Sequence, residues 1–191
     1  MSDPAVVLEA AFRFLEARAR SVSETRRRLT EAGYRPALIE RGLERLQVIG
    51  LLDDEVFARH WVEARDRASP RGEAALRREL LLRGVATEII ANVLTARRAN
   101  TETFRLGRPA AEHRPAGADE AEPGDIDPDQ PGSADEAAAG RLLERRRRDL
   151  ERIDDPRARR ARAYALLARH GFAPDIAARL AAQSVLQSDE D

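Results

Sequence analysis

Apolar residues recur along this chain at three- and four-residue intervals, and three times the recurrence closes on one pattern. A leucine is followed four places on by glycine and then by an apolar residue: LTEAGY at 29–34, LLLRGV at 80–85 and LARHGF at 167–172. A helix that ends in a Schellman motif needs a left-handed residue just past its end, and glycine takes that conformation at least cost. Gly33, Gly84 and Gly171 therefore mark three helix ends. The leucine and the residue after the glycine are the pair that makes the motif's hydrophobic contact. Three residues past each glycine stand Pro36, Thr87 and Pro174, types suited to opening a helix. Leu38, Ile89 and Ile176 follow at five places, with Leu43 and Leu46, Val93 and Leu94, and Leu180 continuing one apolar face per helix. The matching flanks predict an internal repeat of helix-turn-helix corners.

Other elements follow from the same periodicity. A first helix is expected from Asp3 as N-cap and Pro4, with Leu8, Ala11, Phe12, Leu15 and Ala19 on its apolar face. Ser21 and Glu24 have capping-box spacing, so a second helix should begin near Val22. A third runs from Pro36 through Leu38, Ile39, Leu43, Leu46 and Ile49, with Gly50 placed to stop it. Asp53 is an N-cap candidate, with Asp54 and Glu55 where the helix dipole favours negative charge. Val56, Phe57, Trp61 and Ala64 give that helix its apolar face. After the punctuation of residues 69–72 come a helix ending at Gly84 and another over 88–98. A last group of three helices follows, over AAAGRLLERRRRDLERI, RARRARAYALLARHG and the residues after Pro174.

No strand pattern competes, and the fold class expected is all-α: three tandem three-helix repeats stacked into an elongated, curved, solenoid-like body. The repeats are placed at 1–52, 53–106 and 137–191. Between the last two lies 107–136, with five prolines, four glycines and Ile126 as its one strongly apolar residue. That composition cannot bury enough surface to offset ordering entropy, so a disordered acidic linker is expected there.

Charge sharpens this division. The net charge of −1 resolves into +3 for residues 1–106, −7 for 107–136 and +3 for 137–191. The mild basic excess of the repeats is compatible with an anionic partner without demanding one. All 33 basic residues are arginine, as a GC-rich genome would give. With no cysteine there is neither a disulfide framework nor a thiolate metal site. The N-terminus is too charged for a signal peptide, and no apolar run approaches the ~20 residues of a membrane span. A soluble, cytoplasmic protein without a membrane partner is expected.

Catalytic chemistry finds little to work with. His60, His113 and His170 have no metal-site spacing, and His170 reads as a cation at a helix C-terminus. Asp53, Asp54 and Glu55 read as helix-start residues rather than paired catalytic carboxylates. There is no Walker loop, GxGxxG or nucleophile elbow. We therefore expect no catalytic, cofactor or metal site. Arginine clusters remain: Arg18 and Arg20, Arg26 to Arg28, Arg77, Arg78 and Arg83, Arg145 to Arg148, and the run holding Arg157, Arg159, Arg160 and Arg162. One such cluster is commonly a solvated helix face, but stacked units can align several into one surface for a polyanion. The candidate binding residues are Arg18, Arg20, Arg26, Arg28, Arg77, Arg78, Arg83, Arg145, Arg146, Arg159 and Arg160.

These residues, taken in order, resemble the RecX family of recombination regulators. The signature pieces are Arg18-Ala19-Arg20-Ser21 with Glu24, Leu29 and Gly33; then Gly50-Leu51-Leu52-Asp53-Asp54 with Phe57-Ala58, Val62 and Arg65. Gly72, Leu76, Glu79-Leu80, Arg83 and Gly84-Val85 follow, and then Tyr164, Leu167, Arg169, Gly171-Phe172 and Ile176. The resemblance implies a non-catalytic protein that binds in the groove of RecA filaments on DNA and limits RecA's ATP hydrolysis, strand exchange and co-protease activity, the last linked to the SOS response. It also implies weak, non-specific binding to single- or double-stranded DNA; a monomer is expected. Two departures stand out. Thr25 occupies a position where the family carries an aliphatic residue, which should weaken packing locally, and the acidic segment 107–136 is atypical. The alternative from another class is a transcription regulator reading DNA through one helix-turn-helix corner, though nothing here is an obvious dimerisation element.

Overall fold

A computed structural model of the chain describes residues 4–105 and 133–186. The described residues form ten helices and no strand: α1 (Pro4–Glu16), α2 (Val22–Glu31), α3 (Pro36–Val48), α4 (Asp54–Ala68), α5 (Glu73–Leu82), α6 (Thr87–Arg105), α7 (Ser133–Arg145), α8 (Arg147–Glu151), α9 (Pro156–Arg169) and α10 (Pro174–Leu186). The all-α expectation is met. Two compact units divide them. Residues up to Arg67 with Leu76–Val93 make one, and Ala68–Ala75 with the residues from Leu94 onward make the other.

The glycine corners are formed as the spacing requires. Gly33, Gly84 and Gly171 have φ of 81°, 74° and 80°, and Gly50 joins them at 72°. Tyr34 N donates to Leu29 O at 3.3 Å, Val85 N to Leu80 O at 3.2 Å and Phe172 N to Leu167 O at 3.3 Å. These are the six-to-one bonds of the Schellman motif, and the glycine N–H groups supply the inner bonds at 2.9–3.0 Å. Leu29, Leu80 and Leu167 are buried, as are Val85 and Phe172, while Tyr34 is half-buried. Past each glycine the fully buried position is the sixth rather than the fifth in the first two corners: Ile39 and Ile90 are buried where Leu38 and Ile89 are half-buried. In the third corner Ile176 and Ala177 are both buried.

In the first unit α1 packs on α2 and α3 around Val7, Ala11, Leu29, Ile39, Leu43, Leu46 and Leu52. Phe12 and Ile49, read from the sequence as core, are instead exposed, and so are Val56 and Ala64 of α4. The buried stripe of α4 is turned by one position, to Phe57, Ala58 and Val62. Ser21 and Glu24 close a complete capping box at α2. Asp53 caps α4 by accepting from the amides of Glu55 and Val56 at 2.8 and 3.0 Å. Asp54 does something the sequence reading missed: its carboxylate reaches out of its own helix to accept from Val22 N at 2.8 Å, so it completes the N-terminus of α2. Burial pushes the Asp54 carboxyl up, with the Val22 bond opposing. Thr25 is 0% exposed, and its hydroxyl donates to Ser21 O at 2.9 Å, so the polar group at this core position is satisfied.

In the second unit α10 packs on α9 and α7 around Ala138, Leu142, Leu150, Ala163, Leu167, Phe172, Ile176 and Ala181. Asp155 caps α9, accepting from the amides of Arg157 and Ala158. His170 Nδ1 donates to Leu166 O at 2.8 Å, at the helix end where the sequence places it. Helix α7 opens at Ser133, inside the span read as linker, and the helix expected over 137–153 is broken at Arg146 into α7 and α8. The early start is held at Asp135. Its Oδ1 takes an Arg97 guanidinium N–H at 2.6 Å, and its Oδ2 accepts from Glu73 N at 2.9 Å. The side chains of Arg97 and Asp135 are only 8% and 12% exposed. Burial pushes the Asp135 carboxyl up, against the pull of Arg97 and the Glu73 amide. Glu136 pairs with Arg179. The expected disorder of the remaining linker residues, 107–132, lies outside the described residues, as does the Asp3 cap.

A shared device appears in both units. The residue before a corner glycine offers its carbonyl to the start of an earlier helix: Ser21 Oγ donates to Arg83 O at 2.6 Å, and Gly72 N donates to His170 O at 3.0 Å. The approach is close enough to need glycine. A Cβ on Gly84 would lie 2.3 Å from Ser23, one on Gly171 2.5 Å from Ala75, and one on Gly72 2.1 Å from the Gly171 oxygen.

Candidate functional site

In the first unit, Arg65 of α4, Glu79 of α5 and Arg83 just past α5 converge on Trp61, the chain's single tryptophan. Helical spacing puts Arg65 one turn beyond Trp61 on α4, and Glu79 on α5 stands four positions before Arg83, the residue just past that helix. Trp61 Nε1 donates to Glu79 Oε2 at 2.8 Å, and Arg65 Nε donates to the same oxygen at 2.7 Å. The Arg65 and Arg83 guanidinium groups lie over the indole at 4.7 and 3.7 Å from its centroid. Arg83 also reaches the buried Glu24, donating to Oε1 at 2.7 Å, while Arg18 lies 3.5 Å from that oxygen. Glu24 thereby serves two ends, since its other oxygen accepts from Ser21 N in the capping box. Arg20 stacks at 4.3 Å on Phe14, and its buried Nε has no hydrogen-bond partner. Burial, then the nearby Arg18, lower its pKa, while Glu24 opposes.

The structure sorts the eleven candidate arginines. Arg18, Arg20 and Arg83 are brought together around Glu24. Arg26 forms a two-pronged pair with Glu40 at 2.8 and 2.9 Å, which raises the arginine and lowers the carboxyl. Both partners are about half exposed, so the pair is worth little and is readily exchanged. Arg28, Arg78 and Arg160 are exposed, and Arg77 is half-buried. Arg145 donates to Ala68 O at 2.8 Å, Arg146 lies 3.5 Å from Asp149, and Arg159 Nε donates to Ile153 O at 3.0 Å. The arginines most committed to the fold are thus Arg83 and Arg159. Arg97 is a structural cation that the sequence reading did not single out, and Arg65, read only as part of the family signature, carries the spacing from Trp61 that would have revealed this role.

Concavities bear on the same question. In the second unit a cavity of about 430 Å³ is lined by Leu143, Leu150 and Leu180 with Glu144, Arg147, Glu151 and Arg159. Its charges answer one another, with Arg147 lying 3.5 and 3.6 Å from Glu144 and Glu151. Among the described residues no group of His, Cys, Asp or Glu is arranged to hold a metal, and no helix is long and apolar enough to cross a membrane.

Comparison with known proteins adds an independent finding. Three family models match in chain order: the first three-helix domain of RecX over residues 8–46, the second over 53–94 and the third over 134–180. The chain is 41% identical over 96 residues to a protein named Regulatory protein RecX from Mycobacterium sp. (strain JLS), covering 50% of this chain and 52% of that one. It is 36% identical over 94 residues to the protein of that name from Chlorobium phaeobacteroides (strain BS1), covering 49% and 62%. The chain spans about half the length of the curated relatives it matches. The crystal structure of RecX from Lactobacillus salivarius superposes with a TM-score of 0.66 at 15% identity over 98% of this chain and 97% of that one. A second crystal structure, of regulatory protein RecX, gives 0.62 at 17% identity over 91% and 68%. At those identities the likeness is one of fold.

Proposed function

The chain belongs to the RecX family, and we propose that it regulates homologous recombination and DNA repair by binding RecA filaments on DNA and restraining RecA's ATP hydrolysis, strand exchange and co-protease activity. The observation that carries this reading is the presence of all three three-helix domains of one regulator family, in order, on a single chain.

The physical character of the surface supports it. A filament regulator acts by contact, and this chain offers exposed arginines on separate helices: Arg28 on α2, Arg78 on α5 and Arg160 on α9. Arg26 can exchange Glu40 for a partner's carboxylate or a phosphate at small cost. Contacts of this kind are sequence-blind and weaken with salt, because each phosphate neutralised releases counterions. We assign the protein no catalytic step and no cofactor, and we take it to act as a monomer in the cytoplasm. The repeats are read as 1–52, 53–106 and 137–191. The linker between the last two is read as an anionic segment competing with DNA for the arginines. A corner used as a sequence-reading helix-turn-helix is the lesser reading, since Gly84 and Gly171 hold their corners against neighbouring helix starts within their own units.

The deciding experiment is ATP hydrolysis by RecA of the same organism on single-stranded DNA, with this protein added well below one copy per protomer. A fall in rate at substoichiometric amounts is expected. An unchanged rate together with absent co-sedimentation on filaments would remove the reading and favour a DNA-binding regulator.

A further inference from the structure

Helix α9, in the second unit, is the one helix among the described residues that carries no acidic residue, and it holds five arginines: Arg157, Arg159, Arg160, Arg162 and Arg169. Arg159 is taken up by the fold, since its Nε donates to Ile153 O. The other four are exposed, and among the described residues they form no ion pair. Their placement works against the helix. Arg157 and Arg160 stand in its first two turns, where the dipole favours negative charge, and they set like charges three positions apart. Nearby acids are engaged elsewhere. Asp155 holds the amides of Arg157 and Ala158, Asp149 and Glu151 of α8 lie against Arg146, Arg147 and Arg152, and Glu136 of α7 pairs with Arg179. Asp154 before the helix and Asp175 at the start of α10 leave the four guanidinium groups in excess.

An aromatic ring shares their face. Tyr164 stands four positions beyond Arg160 and seven beyond Arg157, so helical spacing sets the three in one stripe. Tyr164 is 39% exposed, and its neighbours along the stripe, Ala161 and Ala168, are too small to cover it. The ring is also unoccupied. In the first unit arginine lies over aromatic rings, Arg20 over Phe14 and Arg65 and Arg83 over Trp61, whereas among the described residues nothing stacks on Tyr164.

We propose that this face of α9 is selective for single-stranded nucleic acid, with Arg157 and Arg160 on backbone phosphates and the Tyr164 ring stacked on an unpaired base. Each nucleotide of such a strand offers a phosphate and a π-face together, which is what unanswered cations beside an open ring fit. A duplex keeps its base faces inside its own stack and offers the arginines alone. An acidic protein surface likewise answers the arginines and brings no base. The proposal deepens the reading of this chain as a protein that works on DNA, by naming the strand type and the residues that select it, and rests on that reading only for where such a strand is met.

The test needs no RecA, so its failure leaves the recombinase reading where it stands. The probe is a fluorescein-labelled oligothymidylate of about twelve nucleotides, within the span of single-strand sites, titrated with the full chain and read by anisotropy. Its controls are a duplex and an abasic strand of the same length, the latter keeping every phosphate and losing every base. Both are expected to bind about tenfold more weakly than the oligothymidylate. Tyr164→Ala should weaken the oligothymidylate by a similar factor and leave the abasic strand unchanged, while Tyr164→Phe, which keeps the ring, binds as the parent does. Arg157→Gln and Arg160→Gln should each weaken both single strands and lower the slope of log affinity against log salt by roughly 0.7. All three positions are exposed, so melting temperatures close to the parent's are expected and binding is read apart from folding. Absence of saturable binding, an abasic strand or duplex held as tightly as the oligothymidylate, or an unchanged Tyr164→Ala would each overturn the proposal. So would polyglutamate displacing the probe as effectively as unlabelled strand, which would make α9 a site for acidic protein instead.

Discussion

Asp54 shows how much a single side chain can be misjudged from its neighbours. Of three acids in a row at a helix start, Asp53 reads as the N-cap and Asp54 and Glu55 as dipole partners; Asp53 does cap its own helix, but Asp54 serves α2 through Val22. No local pattern encodes that bond, because its partners are separated by 32 positions. The same limit applied to Arg83, which spacing placed on a surface and which instead lies over Trp61 and against Glu24. Asp54 also gives a pH dependence. Its folded pKa is raised by burial above the ordinary value near 3.9. Below that value both states are protonated. As pH rises, the unfolded chain loses its proton first, so stability falls until the folded carboxyl has ionised too. Asn at this position keeps an acceptor for Val22 and cannot titrate. The melting temperature of Asp54→Asn relative to the parent is therefore expected to climb as pH rises from below the ordinary carboxylate value to above it. A difference that stays flat across that range would mean the carboxyl is not raised.

At the level of elements, the corners were legible because a helix stop is local chemistry. Leucine, glycine and an apolar residue within six positions define both the hydrogen bonds and the contact, and all three appear as read. Faces were less legible. Phe12, Ile49, Val56 and Ala64 fit a helical period, yet they are exposed, because which part of a broad apolar stripe is covered depends on the neighbouring helices. The early start of α7 was hidden for the same reason, since Asp135 is fixed by Arg97 and the Glu73 amide rather than by its own helix. The corners themselves are not equivalent, and substitution separates them. Alanine at Gly33 or Gly50 meets open space and pays only for its left-handed backbone, about 1–2 kcal/mol. At Gly84 and Gly171 the added methyl also overlaps Ser23 or Ala75, and overpacking adds about 1–3 kcal/mol. Urea midpoints are expected to fall furthest for Gly171→Ala, where backbone atoms of Ala75 stand in the way. Equal losses at all four would mean that the close approaches relax freely.

The molecule as a whole is two compact units, each with its own buried core and its own polar tie. In the second unit the tie is Arg97 with Asp135, and removing one member leaves a buried charge unanswered. Arg97→Ala should therefore destabilise that unit by about 3–5 kcal/mol, and the double variant with Asp135→Asn should recover part of the loss. A double variant no better than the single would show that the loss is one of packing rather than charge. The first unit can be followed apart from the second, because the indole held by Arg65, Arg83 and Glu79 belongs to it alone. Excited at the red edge of its absorption, where tyrosine is dark, the protein emits from that one site. Its emission colour during denaturation therefore tracks the release of α4 from α2 and α5, while helicity by circular dichroism sums over both units, so any gap between the two curves measures how independently they melt.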